Sequence, residues 1–401
     1  MKRGTEATFT IPENGFGIVS AYARQLELEA QARGEHRPAP RPLQMGEPNF
    51  LTPKHIRQAA IETLEQDIIP YGPSSGWHWL RELLAEKIER VNGYHVGAEN
   101  VAVSMGGTNA LQSIFHAIVG HGDEVLVPDP CWPLYYNQLL TCGATAVPYV
   151  LDAANEWLPS IADLERLVTP RTRILLINTP GNPTGAVFPR ALIADLLEFA
   201  RRHDLYLLSD ECYDQIVFEG VHVSPATMLN EEEMEQGRFI GVYTFSKTYA
   251  MTGWRVGYAV AGKALIKDII GVLAANHTNV SLIAQRAAGA ALKGPQDCVS
   301  TMRDAYHRRR DLATDLLKAH DRYIYTPHGA FYALIDVRDR SGHTSRKGSQ
   351  FSLDLLREYN VMVTPGSSFG ATTGDFVRIS LAASDEDVAH GVRAICEFAE
   401  R

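Results

Sequence analysis

The sequence predicts an α/β protein: a mostly parallel central sheet with helices on both faces, joined to a smaller α+β domain. Between residues 101 and 261 short apolar strands alternate with helical stretches, the pattern of a parallel sheet covered on both faces. From about 263 to 320 that alternation gives way to long helices, and the tail adds strands and a last helix. The length, 401 residues, suits two to three domains with a sizeable core.

In chain order, residues 17–33 have the periodicity of an amphipathic helix that stops at Gly34, and Pro38, Pro40 and Pro42 make the next segment an extended connector. Helices are expected at about 53–66 and 76–91. Strand Val101–Ser104 leads into a helix after Gly106 and Gly107; strand Glu124–Val127 precedes a helix at 134–142. Thr145–Val150 and Arg173–Ile177 read as strands, 189–203 as a helix, and Leu205–Ser209 as a strand. Phe239–Thr244 and Val256–Ala261 flank a polar loop. The tail adds strands at 331–335, 361–364 and 376–380 and a helix at 384–400, and Arg338 to Gln350 reads as a mobile polar surface loop.

Composition narrows the function classes. Hydrophobic residues at 45% and charged residues at 21% are those of a globular protein, so dominant disorder is excluded. Lys plus Arg is 38 against 47 Asp plus Glu, a net charge of −9, and no basic cluster offsets it; nucleic acid is not an expected partner. Apolar runs such as Ile174–Leu175–Leu176–Ile177 fall far short of the roughly 20 residues that span a bilayer, so no membrane partner is expected either. The first ten residues are followed by no apolar signal core. The five cysteines are widely spaced without a Cys-x-x-Cys pair, which disfavours disulfides and structural zinc; the expectation is a cytoplasmic protein with no metal site.

Four segments carry chemistry. Thr244-Phe245-Ser246-Lys247 follows a strand and runs on to Gly253-Trp254-Arg255 and Gly257-Tyr258. A desolvated lysine there can lose its proton and attack a carbonyl, while the hydroxyls and Arg255 suit a phosphate; an ordinary surface turn remains open on this motif alone. Asn178-Thr179-Pro180-Gly181-Asn182-Pro183-Thr184-Gly185 makes a rigid loop at the carboxyl end of a buried strand, where open α/β sheets place ligands, although such pairs are also turn formers. Asp210 ends an apolar strand and needs a cationic partner if buried; a protonated ring nitrogen would serve, with Tyr213 beside it, and a helix N-cap is the alternative. Ser104-Met105-Gly106-Gly107-Thr108-Asn109 lets backbone amides approach a phosphate at a helix start, and Trp132 can stack on an aromatic ligand or pack in the core.

Together these segments resemble the fold-type I pyridoxal 5′-phosphate enzymes, specifically the class I/II aminotransferases related to aspartate aminotransferase. The likeness spans nearly the whole chain, from Gly46-Glu47-Pro48-Asn49-Phe50 through Tyr71-Gly72, Asn182-Pro183-Thr184-Gly185 and Ser246-Lys247 to Arg378-Ile379-Ser380. The resemblance implies that Lys247 is the Schiff-base lysine and proton shuttle. It implies that Asp210 pairs with the pyridinium nitrogen, that Tyr213 and Asn182 bond the ring oxygen, and that Trp132 stacks on the ring. Gly107, Thr108, Thr244 and Arg255 would hold the phosphate, and Tyr71 would reach the phosphate of the neighbouring subunit in a homodimer with shared active sites. Arg378 would clamp the substrate α-carboxylate, with Gly46 approaching it and Phe16 near the side-chain pocket; His277 and Asn279 are weaker pocket candidates. The implied division is a large domain over 48–293 and a small domain built from 1–47 and 294–401.

The implied activity is a ping-pong transfer of an amino group from an L-amino acid to a 2-oxo acid. Thr108 stands where one dicarboxylate-specific subgroup has a lysine, which weakens an aspartate assignment and leaves aromatic, aliphatic or specialised substrates open. Related enzymes with the same cofactor residues catalyse elimination or cyclisation, so either is the alternative reading. A DNA-binding regulator of this fold is disfavoured because only about 45 residues precede the Gly46 block.

Overall fold

The computed structural model describes residues 15–66, 68–339, 342 and 348–401. Seven strands form the central sheet: β2 (Val101–Ser104), β3 (Glu124–Asp129), β4 (Thr145–Val150), β5 (Thr172–Asn178), β6 (Tyr206–Asp210), β7 (Phe239–Thr244) and β8 (Gly257–Ala261). Their order is β2-β8-β7-β6-β5-β3-β4. All neighbours are parallel from β7 to β4, and β8 runs antiparallel to both β7 and β2. The expected mostly parallel sheet is therefore observed, and its exception is the strand that returns after the Lys247 segment.

The middles of the central strands are continuously apolar because successive side chains enter different cores. Val125, Val127, Ile174, Leu176 and Leu208 pack on one face with Ile114 and Leu139; Leu126, Leu175, Ile177 and Leu207 pack on the other with Leu196 and Phe199. This is the period of two of a strand buried on both sides. The helix Arg190–Arg202 covers the second face with Ile193, Leu196, Leu197 and Ala200, the i, i+3, i+4, i+7 spacing of one apolar stripe. At the sheet edge β4 is the least buried strand of that sheet, with only Tyr149 fully buried, and it tolerates Pro148, as an edge strand can.

A further core joins Leu43, Tyr213, Ile216 and Ala250 to the C-terminal third. It holds Tyr306, Phe331, Tyr332, Phe351, Val377, Ile379 and Val392. Its sheet has the order β11-β12-β9, all antiparallel, from β9 (Tyr332–Asp336), β11 (Thr364–Pro365) and β12 (Phe376–Ser380). Helices Asp297–Ala319 and Asp385–Ala399 pack beside it.

Three expectations need correction. The single strand expected at 361–364 is two short ones: β10 (Val361–Met362) pairs in parallel with β1 (Arg41–Pro42), while β11 pairs with β12. The proline connector thus supplies a strand at its end, stitched to the C-terminal sheet region. The polar stretch read as a loop to Gln350 is shorter, because Gly348–Tyr359 is a helix that buries Phe351, Leu355 and Leu356; residues 340, 341 and 343–347 lie outside the described residues. The loop between β7 and β8 contains a one-turn helix, Phe245–Thr248. Helix Ile161–Leu167, capped by the Ser160 side chain, was not foreseen. No described helix is long and apolar enough to cross a membrane.

Candidate active site

The carboxyl ends of β5, β6 and β7 open onto a cavity of about 440 Å³, closed on its far side by β11, β12 and the 366–369 turn. It is lined by Gly46, Gly107, Thr108, Trp132, Asn182, Asp210, Tyr213, Thr244, Lys247, Arg255 and Arg378, so the structure brings eleven of the sequence-derived candidates together. Tyr71 is not among them: it is 87% exposed on the surface. His277 and Asn279 also lie away from the cavity; Asn279 donates to the Val280 carbonyl at 2.9 Å. Phe16 is in the first helix turn, and its side chain falls outside the described residues.

Strand register positions the acidic group. Asn178 and Asp210 end neighbouring strands and are register partners. The Asn178 amide donates to the Asp210 carbonyl at 3.0 Å and its oxygen accepts from the Asn182 backbone at 2.9 Å, which fixes the proline-rich loop against the strand end. The Asp210 carboxylate is 4% exposed. It accepts from the Tyr135 hydroxyl at 2.5 Å and from the Cys212 backbone at 3.1 Å. Burial pushes its carboxyl above the usual carboxylate range, against those hydrogen bonds. Residue 210 opens no helix in this structure, so a helix cap does not account for it. Among the described residues no lysine, arginine or histidine pairs with it, and a buried carboxylate in that state calls for a cationic ligand atom.

Lys247 comes from the one-turn helix after β7, whose start is capped by Thr244 accepting from the Ser246 backbone. Its Nζ donates to the Gly46 carbonyl at 2.6 Å. Burial lowers its pKa to about 8, so a substantial neutral fraction exists near physiological pH.

Polar groups suited to an anion gather at one end of the cavity. Helix Gly107–Ile118 begins there with Thr108 in its first turn, and the Thr244 and Ser246 hydroxyls are 2.9 Å apart beside it. Arg255 donates to the Thr252 carbonyl at 2.6 Å. Arg255 has φ of +56°, a left-handed conformation that strains a branched-free but bulky residue and is retained only where the surroundings hold it. Gly106 is required by two facts: its φ is +81°, and a Cβ would lie 2.7 Å from the Arg255 guanidinium. Helix-start amides, hydroxyls and a guanidinium are the donor types that suit an anion such as phosphate.

The opposite end belongs to Arg378, in the middle of β12 and 6% exposed. It donates to the Gln44 carbonyl at 2.6 Å, to Asn182 Oδ1 at 3.2 Å and to Thr364 Oγ1 at 3.3 Å, and its Nε has no partner among the described residues. Its guanidinium sits 4.4 Å from the Tyr332 ring centre and 4.8 Å from that of Phe369. No carboxylate pairs with it among the described residues, and burial lowers its pKa. A planar cation kept dry between two rings suits a bidentate carboxylate ligand.

Several lining residues had no sequence signal. Tyr135 is one helical turn past Trp132, whose ring it meets edge-on at 5.5 Å. Tyr332, Phe369 and Thr364 arrive from the C-terminal sheet region and its turn, more than a hundred residues from Asp210. Only the tertiary fold marks them.

Residues 42–395 match the family model for aminotransferase class I and II. The aspartate/prephenate aminotransferase of Thermus thermophilus is 38% identical over 373 residues, covering 92% of each chain. Aromatic-amino-acid aminotransferase 2 of Thermococcus litoralis is 36% identical over 86% of this chain and 87% of its own. A solved structure of a single mutant of Thermus thermophilus aspartate aminotransferase superposes with a TM-score of 0.90 at 34% identity, covering 99% of this chain and 100% of that one.

Proposed function

The chain belongs to the class I and II aminotransferases and is an aminotransferase acting on amino acid and 2-oxo acid substrates; from that premise we propose that it works with pyridoxal 5′-phosphate held by the cavity residues just described, as a cytoplasmic homodimer. The observation that carries this reading is that Asp210 and Arg378, both buried and without an oppositely charged partner among the described residues, line one cavity with a half-buried lysine of lowered pKa. Such an arrangement is costly without ligands to complete it.

When bound, the cofactor supplies a carbonyl carbon that joins to amines and a ring that accepts electrons from the substrate α-carbon. The residues present fit it. Gly107, Thr108, Thr244 and Arg255 would hold its phosphate. Asp210 would face its ring nitrogen and favour the protonated form there. Tyr213 and Asn182 would bond its ring oxygen, and Trp132 would lie against its face. Arg378 would take the substrate α-carboxylate in a two-point contact, with Gly46 and the Phe16 region near the substrate. Lys247, once free, would carry the proton taken from the α-carbon, because its amine is neutral often enough to accept it.

Two wider assignments rest on the same reading. Leu51, Ile68 and Tyr71 are exposed at 81%, 75% and 87%, a set of large apolar side chains that a second subunit would cover, bringing Tyr71 to its neighbour's phosphate site. A large domain over 48–293 and a small one from 1–47 and 294–401, with Arg378 on the small one, agree with the three-stranded C-terminal sheet standing apart from the seven-stranded one, although Tyr213, Ile216 and Ala250 pack into the C-terminal core.

The experiment is a half-reaction screen. Cofactor-loaded protein is mixed with each common amino acid, its visible absorbance is followed, and 2-oxo acid is assayed alongside. Conversion with a matching 2-oxo acid, reversed by a second one, is the expected result and names the donor. Ammonia released without need of an acceptor acid would favour elimination instead.

A further inference from the structure

The Tyr332 hydroxyl is buried against the Tyr213 hydroxyl, 2.9 Å away, and among the described residues neither makes another hydrogen bond. Tyr332 stands on β9, opposite Ser380 of β12. Its surroundings are tight: a Cβ on Gly46 would lie 2.5 Å from its oxygen, so glycine is the residue that lets the backbone pass there. The Arg378 guanidinium covers its ring. Charged and titratable groups facing the pair are Arg378 from β12 and Asp210 and Cys212 from the end of β6, with Lys247 in the same cavity.

Geometry alone leaves the donor ambiguous, but proton counting does not. Burial raises the pKa of both phenols, so each keeps its proton at neutral pH. Two protons serve one O···O contact. If Tyr213 donates to Tyr332, it keeps no proton for a ligand oxygen in the cavity that both residues line, and the Arg378 guanidinium over the Tyr332 ring offers only donors. If Tyr332 donates, the Tyr213 proton is free to point into the cavity, where a ligand oxygen can accept it. The second arrangement is the one that leaves Tyr213 a proton for the ligand oxygen, as the cofactor reading requires.

We propose that Tyr332 is a positioning residue whose hydroxyl donates to Tyr213, fixing the Tyr213 proton toward the cofactor's ring oxygen and strengthening that bond. The inference rests on the cofactor reading above and adds a residue to it. Donors in series polarise one another, so Tyr213 donates more strongly with Tyr332 behind it. Arg378, bonded to Asn182 and stacked on Tyr332, then reaches the ring oxygen by two routes, one through each residue.

The test is Tyr332→Phe, which keeps the ring under Arg378 and removes only the hydroxyl. Cofactor-loaded native and variant proteins are titrated with acid and base without substrate, and the pH midpoint of the visible absorbance is read. A donor to an anionic oxygen favours the deprotonated form, so weakening it should raise the midpoint, by about half a unit for partial loss of one hydrogen bond. Tyr213→Phe should raise it further, and adding Tyr332→Phe to Tyr213→Phe should move it no more. An unchanged midpoint in Tyr332→Phe overturns the inference, as does an equal shift in the Tyr213→Phe background. Native protein that acquires no visible band with pyridoxal 5′-phosphate removes the cofactor reading itself, and that outcome is distinguishable from an unchanged midpoint.

Discussion

Replacing Arg378 by lysine tests the substrate-carboxylate site most directly. The native guanidinium donates twice through Nη2, to Gln44 and Thr364, and once through Nη1, to Asn182, and keeps Nε unpartnered among the described residues in a site 6% exposed. It is also gripped by two rings at 4.4 and 4.8 Å. Lysine restores a charge but neither the two-point geometry nor the planar stacking. Losing one of two hydrogen bonds to a charged group costs about 1.5–3 kcal/mol. At about 1.4 kcal/mol per tenfold, kcat/KM for the amino acid should fall between about 10-fold and about 140-fold. The assay is the rate of the first half-reaction against amino acid concentration, with cofactor affinity measured separately by titration. Cofactor affinity should change little, because the phosphate and ring-nitrogen groups lie on other elements. Amino acid kcat/KM within threefold of native, or parallel loss of cofactor, would refute the assignment.

Other outcomes follow from the same geometry. Lys247→Ala should abolish both transamination and the shift in cofactor absorbance caused by the lysine; native turnover in that variant would exclude Lys247. Since burial lowers its pKa to about 8, the neutral amine gains population as pH rises through that value; capture of pyridoxal 5′-phosphate by cofactor-free protein should accelerate with a midpoint near it, and a flat profile would contradict the assignment. Asp129, at the end of β3, accepts from Ala371 and from the Thr372 backbone and hydroxyl, and so anchors the turn that lays Phe369 on Arg378. Asp129→Ala should cost about 1–3 kcal/mol in denaturant unfolding and raise KM for the amino acid more than it lowers kcat; a changed kcat at native KM would argue otherwise. Mixing Lys247→Ala subunits with Tyr71→Ala subunits should restore activity to roughly a quarter of native, since half the dimers are hybrids with one complete site; no recovery after subunit exchange would exclude shared sites.

The parts of the site that were legible in the sequence are those a strand end carries. Asp210, Asn182, Thr244 and Lys247 each follow an apolar strand that is buried on both faces, and polar residues at such an end have only the cavity or a turn to serve. Gly106 and Gly107 were legible because a helix that starts on small residues leaves its amides free. Tyr135 and Tyr332 were not, since each sits among apolar neighbours and differs from a core tyrosine only in what its hydroxyl meets. The Gly348–Tyr359 helix was misread because the polar run before it hid its start.

Local sequence was enough for the alternation of strands and helices, the strand-end setting of Lys247 and the change of pattern toward the C-terminus, because periodicity and turn chemistry are properties of neighbours along the chain. It was also enough to show a family likeness that the comparisons bear out. Pairing of distant groups needed the folded chain. The meeting of Arg378 with Gln44 and Asn182, the 2.9 Å contact between Tyr213 and Tyr332, and the return of β1 to β10 all join segments more than a hundred residues apart. Which distant segments meet depends on sheet order and packing of the whole chain, and hydrogen bonds of that kind leave no local pattern to read.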